Sequence, residues 1–152
     1  MKVRVSVQVA TAISGLPSHA TFGAWARAAL AGLRRRSITV TVRIAGRKES
    51  ATLNSRFRHK AGATNVLSFP FEALPGIRSD LLGDVVICAD VVRREAREQG
   101  KPERAHWAHM VVHGIMHLRG YDHRNTKEAA VMEAREARVL RGLGFPNPYD
   151  DA

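Results

Sequence analysis

The chain has 152 residues, 45% of them hydrophobic, which is the size and apolar content of one globular domain that needs no disulfide or metal staple to bury a core. Charge interrupts every apolar stretch, with Arg27 inside AWARAALAGL and Asp84 and Asp90 around VVICA, so a bilayer span is excluded; a lone Cys88 likewise excludes an internal disulfide or a C-x-x-C pair. The net charge of +10, with nineteen Arg against five Lys, fits attraction to polyanions such as nucleic acid, and fits equally a surface enriched in Arg by base composition.

Val3, Val5, Val7 and Val9 alternate with polar residues at the period of a half-buried strand. That alternation is unlike a signal peptide, and a soluble cytoplasmic protein is expected. Gly15 and Pro17 mark a loop, Ser18 is a candidate N-cap for a helix through FGAWARAALAGLRRR, and SITVTVRIA reads as a second strand. Arg47 to Arg58 reads as a helix with Leu53 and Phe57, four apart, facing inward and Asn54 and Arg58 on the neighbouring face. Its end is basic, since SRFRHK gathers Arg56, Arg58, His59 and Lys60.

After the polar loop HKAGAT, NVLSFPF reads as a third strand whose Pro70 argues for a sheet edge. Leu67, Phe69 and Phe71 on one side of it are expected in the core, and an edge with free backbone groups is where an extended substrate can lie. LGDVVICA is the fourth strand, with Asp84 expected to be structural and a role in the cleft as the other reading. ADVVRREAREQG is a helix stopped by Gly100 and Pro102. The next helix starts near Pro102 or Glu103 and ends at Gly120. Asn125 to Glu128 has capping-box spacing for a last helix over about Lys127 to Leu143, and residues 144–152 are expected to be a loose tail. The expected fold is a single α/β (α+β) domain over 1–152, with a mixed sheet of about four strands, one edge strand antiparallel, and about five helices.

Five of the seven histidines fall between His106 and His123. His113 and His117, at i and i+4, project from one helical face one turn apart and can share an ion. Gly120 follows where a left-handed cap would turn the chain back and bring His123 to the same ion. Three imidazoles and an open fourth position describe a catalytic zinc site, because a structural site would close with a fourth protein ligand. His109 also lies four residues from His113, but it is about 12 Å along the axis from His117, so one ion cannot take all three. His109 and His106 are therefore expected to be polar or supporting residues.

The spacing H-x-x-x-H-x-x-G-x-x-H is that of a zinc peptidase of the metzincin type, yet Gly114 stands where such a peptidase has its glutamate base. A glycine there would either open space beside the ion for a larger ligand such as a phosphodiester, or allow close packing of the helix. Phosphoryl chemistry can proceed with a Lewis acid and a guanidinium, and Arg58, off the Leu53/Phe57 face and next to the edge strand, is the candidate for the second part.

LNSRFR (53–58), TNVLSFPFE (64–72), LLGDVVI (81–87) and HGIMHLRGYDH (113–123), in this order and spacing, closely resemble the YbeY family of bacterial ribosomal RNA maturation endoribonucleases, over nearly the whole chain. Asn65 stands where many members have Asp. The resemblance implies a zincin-like fold, one Zn2+ on His113, His117 and His123, and single-strand-specific RNA cleavage. It also implies a place in 16S rRNA 3′-end maturation and late 70S ribosome quality control, with rRNA, the ribosome or small-subunit proteins as partners. The family's functional arginine falls on Arg58. Arg58 and His113 are thus expected to carry catalysis, and Arg56 and Lys60 to help Arg58 hold the RNA. Three histidines also suit Ni2+ or Co2+. Either water or the ribose 2′-OH would serve as nucleophile, and the oligomeric state is left open.

Glu136 lies inside the apolar stripe of Met132, Val139, Leu140 and Leu143 on the last helix. A carboxylate there needs a partner, and the outer N–H of a ligand histidine is one; a solvent-reaching boundary residue is the other reading. Two rivals to a nuclease stand beside it: a metal-dependent peptidase or small-molecule hydrolase, and a ribosome-associated assembly factor whose zinc is mainly structural.

Overall fold

The computed structural model describes residues 1–150. In chain order the elements are β1 (Lys2–Ala10), α1 (His19–Leu30), β2 (Ser37–Ala45), α2 (Arg47–Arg58), β3 (Val66–Pro70), β4 (Leu81–Cys88), α3 (Ala89–Glu98), α4 (Glu103–Leu118) and α5 (Thr126–Gly142). One four-stranded sheet runs β1-β2-β4-β3. Its first two pairings are parallel and β3 joins β4 antiparallel, so the expected mixed sheet with an antiparallel edge strand is observed. Pro70 sits on that edge, where its missing N–H costs no ladder bond.

The alternation of β2 explains the layering. Ile38, Val40, Val42 and Ile44 are buried while Thr39, Thr41 and Arg43 are half-buried on the other face. In β4, by contrast, Val85 through Cys88 are all buried, because helices cover it on both sides. α4 is the central helix: it packs on β3 and β4 and is flanked by α1, α3 and α5. Phe22 and Trp107 meet edge to face in this core at 5.5 Å between centroids, and each such side chain contributes about 1.5–3 kcal/mol through burial. Among the described residues no helix is long and apolar enough to cross a membrane.

Ser18 caps α1 as expected, its hydroxyl accepting from the Thr21 N–H. α1 ends at Leu30, however, and does not run on through Arg36. Ala31 leaves the helix and Gly32 takes a left-handed φ of 82°, so Arg34 to Arg36 form the approach to β2.

The face assigned to α2 is also corrected. Its buried residues are Ser50 and Asn54, and Phe57 is 56% exposed. The polar pair goes inward because the following loop supplies partners: the Ser50 hydroxyl donates to the Thr64 carbonyl and accepts from the Thr64 N–H, and the Asn54 amide donates to the Gly62 carbonyl. Leu67 is buried as expected, but Phe69 is only half-buried and Phe71 is exposed.

The segment after α5 is not loose over its described part. Phe145 packs edge to face on Trp25 and the Tyr149 hydroxyl reaches the buried Glu136, so apolar burial and a hydrogen bond tie the chain down; residues 151–152 lie outside the described residues.

Candidate metal centre

α4 ends in a motif that builds the site. The Tyr121 N–H donates to the Met116 carbonyl and the Gly120 N–H to the His117 carbonyl, with Gly120 at φ 100°. This is a Schellman cap, and its left-handed position is why a glycine follows the second histidine. The chain then folds back. The Asp122 carboxylate accepts from the His123 N–H at 2.8 Å and from Arg124, and these bonds aim His123 at the helix end. The His123 backbone N–H, working against desolvation and joined by Arg124, holds the Asp122 carboxyl below the usual carboxylate range.

The result brings nitrogens of His113, His117 and His123 within 4.8 Å of one another. Their donor chemistry fits a metal. His113 Nδ1 meets the Glu136 carboxylate and His117 Nδ1 meets the Tyr121 carbonyl at 3.0 Å, and both partners are acceptors. Each ring therefore carries its proton outward, and the two Nε2 lone pairs converge at 3.2 Å. Two lone pairs at that separation repel unless a cation lies between them. Burial, then the neighbouring imidazoles, push the His117 pKa down, which keeps the ring in the neutral, ligating form.

Glu136 is fully buried and shared. One oxygen accepts from His113 and the other from the Tyr149 hydroxyl, whose own oxygen accepts from His109 Nε2 at 3.0 Å. Burial pushes the Glu136 carboxyl up, but His109, His113 and Tyr149 outweigh it and hold it at about 2. The Tyr149 phenol is driven up by burial and then by that carboxylate, so it keeps its proton and donates it. His109, His113 and Glu136 also lie close enough to hold an ion. Yet His109 and Glu136 are buried and already joined through Tyr149, so they form a hydrogen-bond network behind His113.

Gly114 points the other way. A Cβ on it would run into Val85 Cγ1, with Val66 Cγ2 at 3.2 Å, and the Ser68 hydroxyl donates to its carbonyl at 2.9 Å. The glycine lets α4 lie directly on β3 and β4; it does not open space at the ion, and of the two expectations close packing is the one observed. A glutamate at this position would have to enter the sheet.

Beyond the histidines lies a cleft of about 600 Å³, lined by Phe57, Arg58, Phe69, His117, His123 and Arg124 among others. Arg58 ends α2 on the cleft side, where His59 breaks the helix with a left-handed φ of 57°. His113 opens instead on an adjoining hollow with Glu136, Tyr149 and His123. Arg56 borders a separate shallow surface with Ala51, Thr52 and Ser55, and Lys60 is exposed outside the cleft lining.

A family model described as Endoribonuclease YbeY matches residues 15–144. The chain belongs to the YbeY family. Proteins named Endoribonuclease YbeY from Methylococcus capsulatus and Nitrosococcus oceani are 59% identical over 90% of this chain and 89% of the relative, and 49% identical over 99% of both. One from Alkalilimnicola ehrlichii is 54% identical over 90% of this chain and 84% of its own length. The fold is similar to the solution structure of TM1509 from Thermotoga maritima, with a TM-score of 0.58 at 22% identity over 98% of this chain and 97% of that one.

Three residues of this YbeY-family site escaped the sequence. Arg124 borders the cleft, Phe57 was expected in the core, and Tyr149 comes from the tail. Phe57 alone carried a signal, its adjacency to Arg58 at the end of a polar helix.

Proposed function

We propose that the protein is a zinc-dependent endoribonuclease specific for single-stranded RNA, a cytoplasmic single-domain enzyme acting in 16S rRNA 3′-end maturation and late 70S ribosome quality control. Family membership and the relatives' name support RNA as the substrate class. The observation that carries the metal assignment is the pair of Nε2 lone pairs converging at 3.2 Å while both outer nitrogens are bonded to acceptors. His113, His117 and His123 would hold one Zn2+, with Ni2+ or Co2+ as alternatives.

When bound there, zinc supplies Lewis acidity toward a phosphoryl oxygen and acidifies water. The chain's own residues do the rest. Glu136 fixes the His113 tautomer and ring plane, and Tyr121, through its carbonyl, does so for His117. Arg58 places a guanidinium in the cleft and offsets the negative charge that builds on the phosphate in the transition state. With the 2′-OH as nucleophile, the first step would need no activated water: the hydroxyl would give its proton to solvent, the departing 5′ oxygen would take one from solvent, and position 114, set against the sheet, would take no part.

Incubating zinc-loaded protein with single-stranded RNA, duplex RNA and casein tests the proposal. Cleavage of the single strand alone is expected; cleavage of casein and not RNA would make it a peptidase, a reading already disfavoured by Gly114. The buried bonding of His113 to Glu136 favours one second reading, an assembly factor whose zinc braces the fold. Arg58→Ala separates the two. The nuclease loses about 10²–10³-fold in kcat with zinc and fold intact, whereas the assembly factor loses nothing.

A further inference from the structure

A lone exposed aromatic side chain is unremarkable, but Phe57 is exposed inside the cleft that holds Arg58 and two of the three proposed zinc ligands. Its ring stands edge to face with Phe69, centroids 5.3 Å apart at 74°. An edge-to-face pair occupies at most one face of each ring. The cleft lining combines apolar Phe57, Phe69 and Pro70 with polar His117, His123 and Arg124, and Arg58 adjoins Phe57 in the chain. Its volume, about 600 Å³, falls within the range of roughly 300–1,000 Å³ common for small-ligand sites.

We propose that Phe57, backed by Phe69, is a stacking subsite for an unpaired nucleobase beside the scissile phosphate. The proposal rests on the nuclease reading and adds how that site selects its substrate. A base in a duplex has both faces covered by its neighbours, so only an unpaired nucleotide can offer one to Phe57 while its phosphate reaches Arg58. Neither phenylalanine can hydrogen-bond a base edge, so the subsite accepts any base: it reads single-strandedness and not sequence.

The test compares a short unstructured oligoribonucleotide with the same oligomer made abasic at the nucleotides flanking the cleavage position. Zinc-loaded protein is used, with Kd taken from fluorescence anisotropy before turnover and KM and kcat from cleavage. Wild type should bind the intact oligomer more tightly than the abasic one. Phe57→Leu should raise Kd and KM for the intact oligomer roughly 5- to 150-fold, leave kcat within about twofold, and leave the abasic oligomer unaffected. Phe57→Trp should restore tight binding, and Arg58→Ala should weaken both oligomers alike. Equal affinity of wild type for the two oligomers, or a Phe57→Leu protein that still discriminates as wild type does, overturns the subsite while RNA cleavage stands. A wild type that neither binds nor cleaves RNA removes both the subsite and the nuclease. If Phe57→Leu proves unfolded by circular dichroism, the wild-type comparison and Phe57→Trp decide alone.

Discussion

Four histidines share one face of α4, and two chemistries result. His113 and His117 bond outward through Nδ1 and turn two Nε2 lone pairs toward each other and His123. His106 and His109, two turns and one turn before His113, do the reverse. Their Nε2 atoms are bonded, to Glu95 at 2.9 Å and to Tyr149 at 3.0 Å, and their Nδ1 atoms are buried with no partner among the described residues. The spacing along the helix is nearly the same in both pairs. What differs is which nitrogen the surroundings occupy, and that decides whether an imidazole is a ligand or a core polar group.

The two histidine pairs should differ most at the metal. His117→Ala should lose zinc on dialysis and fall to background RNA cleavage, whereas His109→Ala should keep one equivalent by elemental analysis; zinc loss in both would mean the two pairs are not distinct. A smaller effect is expected one bond further out. Glu136→Gln keeps the shape but gives up the carboxylate that His113 bonds to, and zinc affinity measured against a chelator should weaken about 10- to 100-fold. Unchanged zinc affinity in that variant would remove Glu136 from the site.

Gly114 tests the packing side of the same helix. Gly114→Ala should lower unfolding free energy by about 1–3 kcal/mol in urea, since its methyl must displace Val85, and should confer no activity on casein. The smallest effect concerns His106. Burial pushes its pKa down, more strongly than Glu95 pushes it up. The folded state therefore binds fewer protons than the unfolded chain as the pH falls below the ordinary histidine value of about 6.5, and stability must drop in that window. The urea midpoint of zinc-loaded protein should decline from about pH 7.5 to about pH 5.5, and less steeply in His106→Gln.

Much of this was legible in the sequence because it depends on local period. The valine alternation of β1 as far as Val7, the Ser18 and Asn125 caps, Pro70 at the edge and the convergence of His113, His117 and His123 about Gly120 are all settled within a few residues, and the structure shows each; Val9 alone of the four valines is exposed. The failures are non-local. Ser50 and Asn54 outrank Leu53 and Phe57 for the inner face of α2 only because a loop eight to fourteen residues on offers carbonyls to them. Gly114 could be assigned to packing only once Val85 and Val66 lay beneath it. Tyr149 meets His109 across forty positions, and no periodicity reports where a Pro-rich tail lands. Glu136 stood between these cases: its place in an apolar stripe said that it needed a partner, and the fold supplied two.

The proposal comes down to three imidazoles, two of them with their protons fixed outward, that would hold a metal on which RNA cleavage depends. The direct test is to strip the protein of metal, confirm by circular dichroism that it stays folded, and add back Zn2+, Ni2+, Co2+ or Mg2+ singly with single-stranded RNA. Cleavage should be absent in the stripped protein and return with one equivalent of Zn2+, or with Ni2+ or Co2+, and not with Mg2+, which imidazoles bind poorly. Full cleavage by folded, metal-free protein would contradict the account.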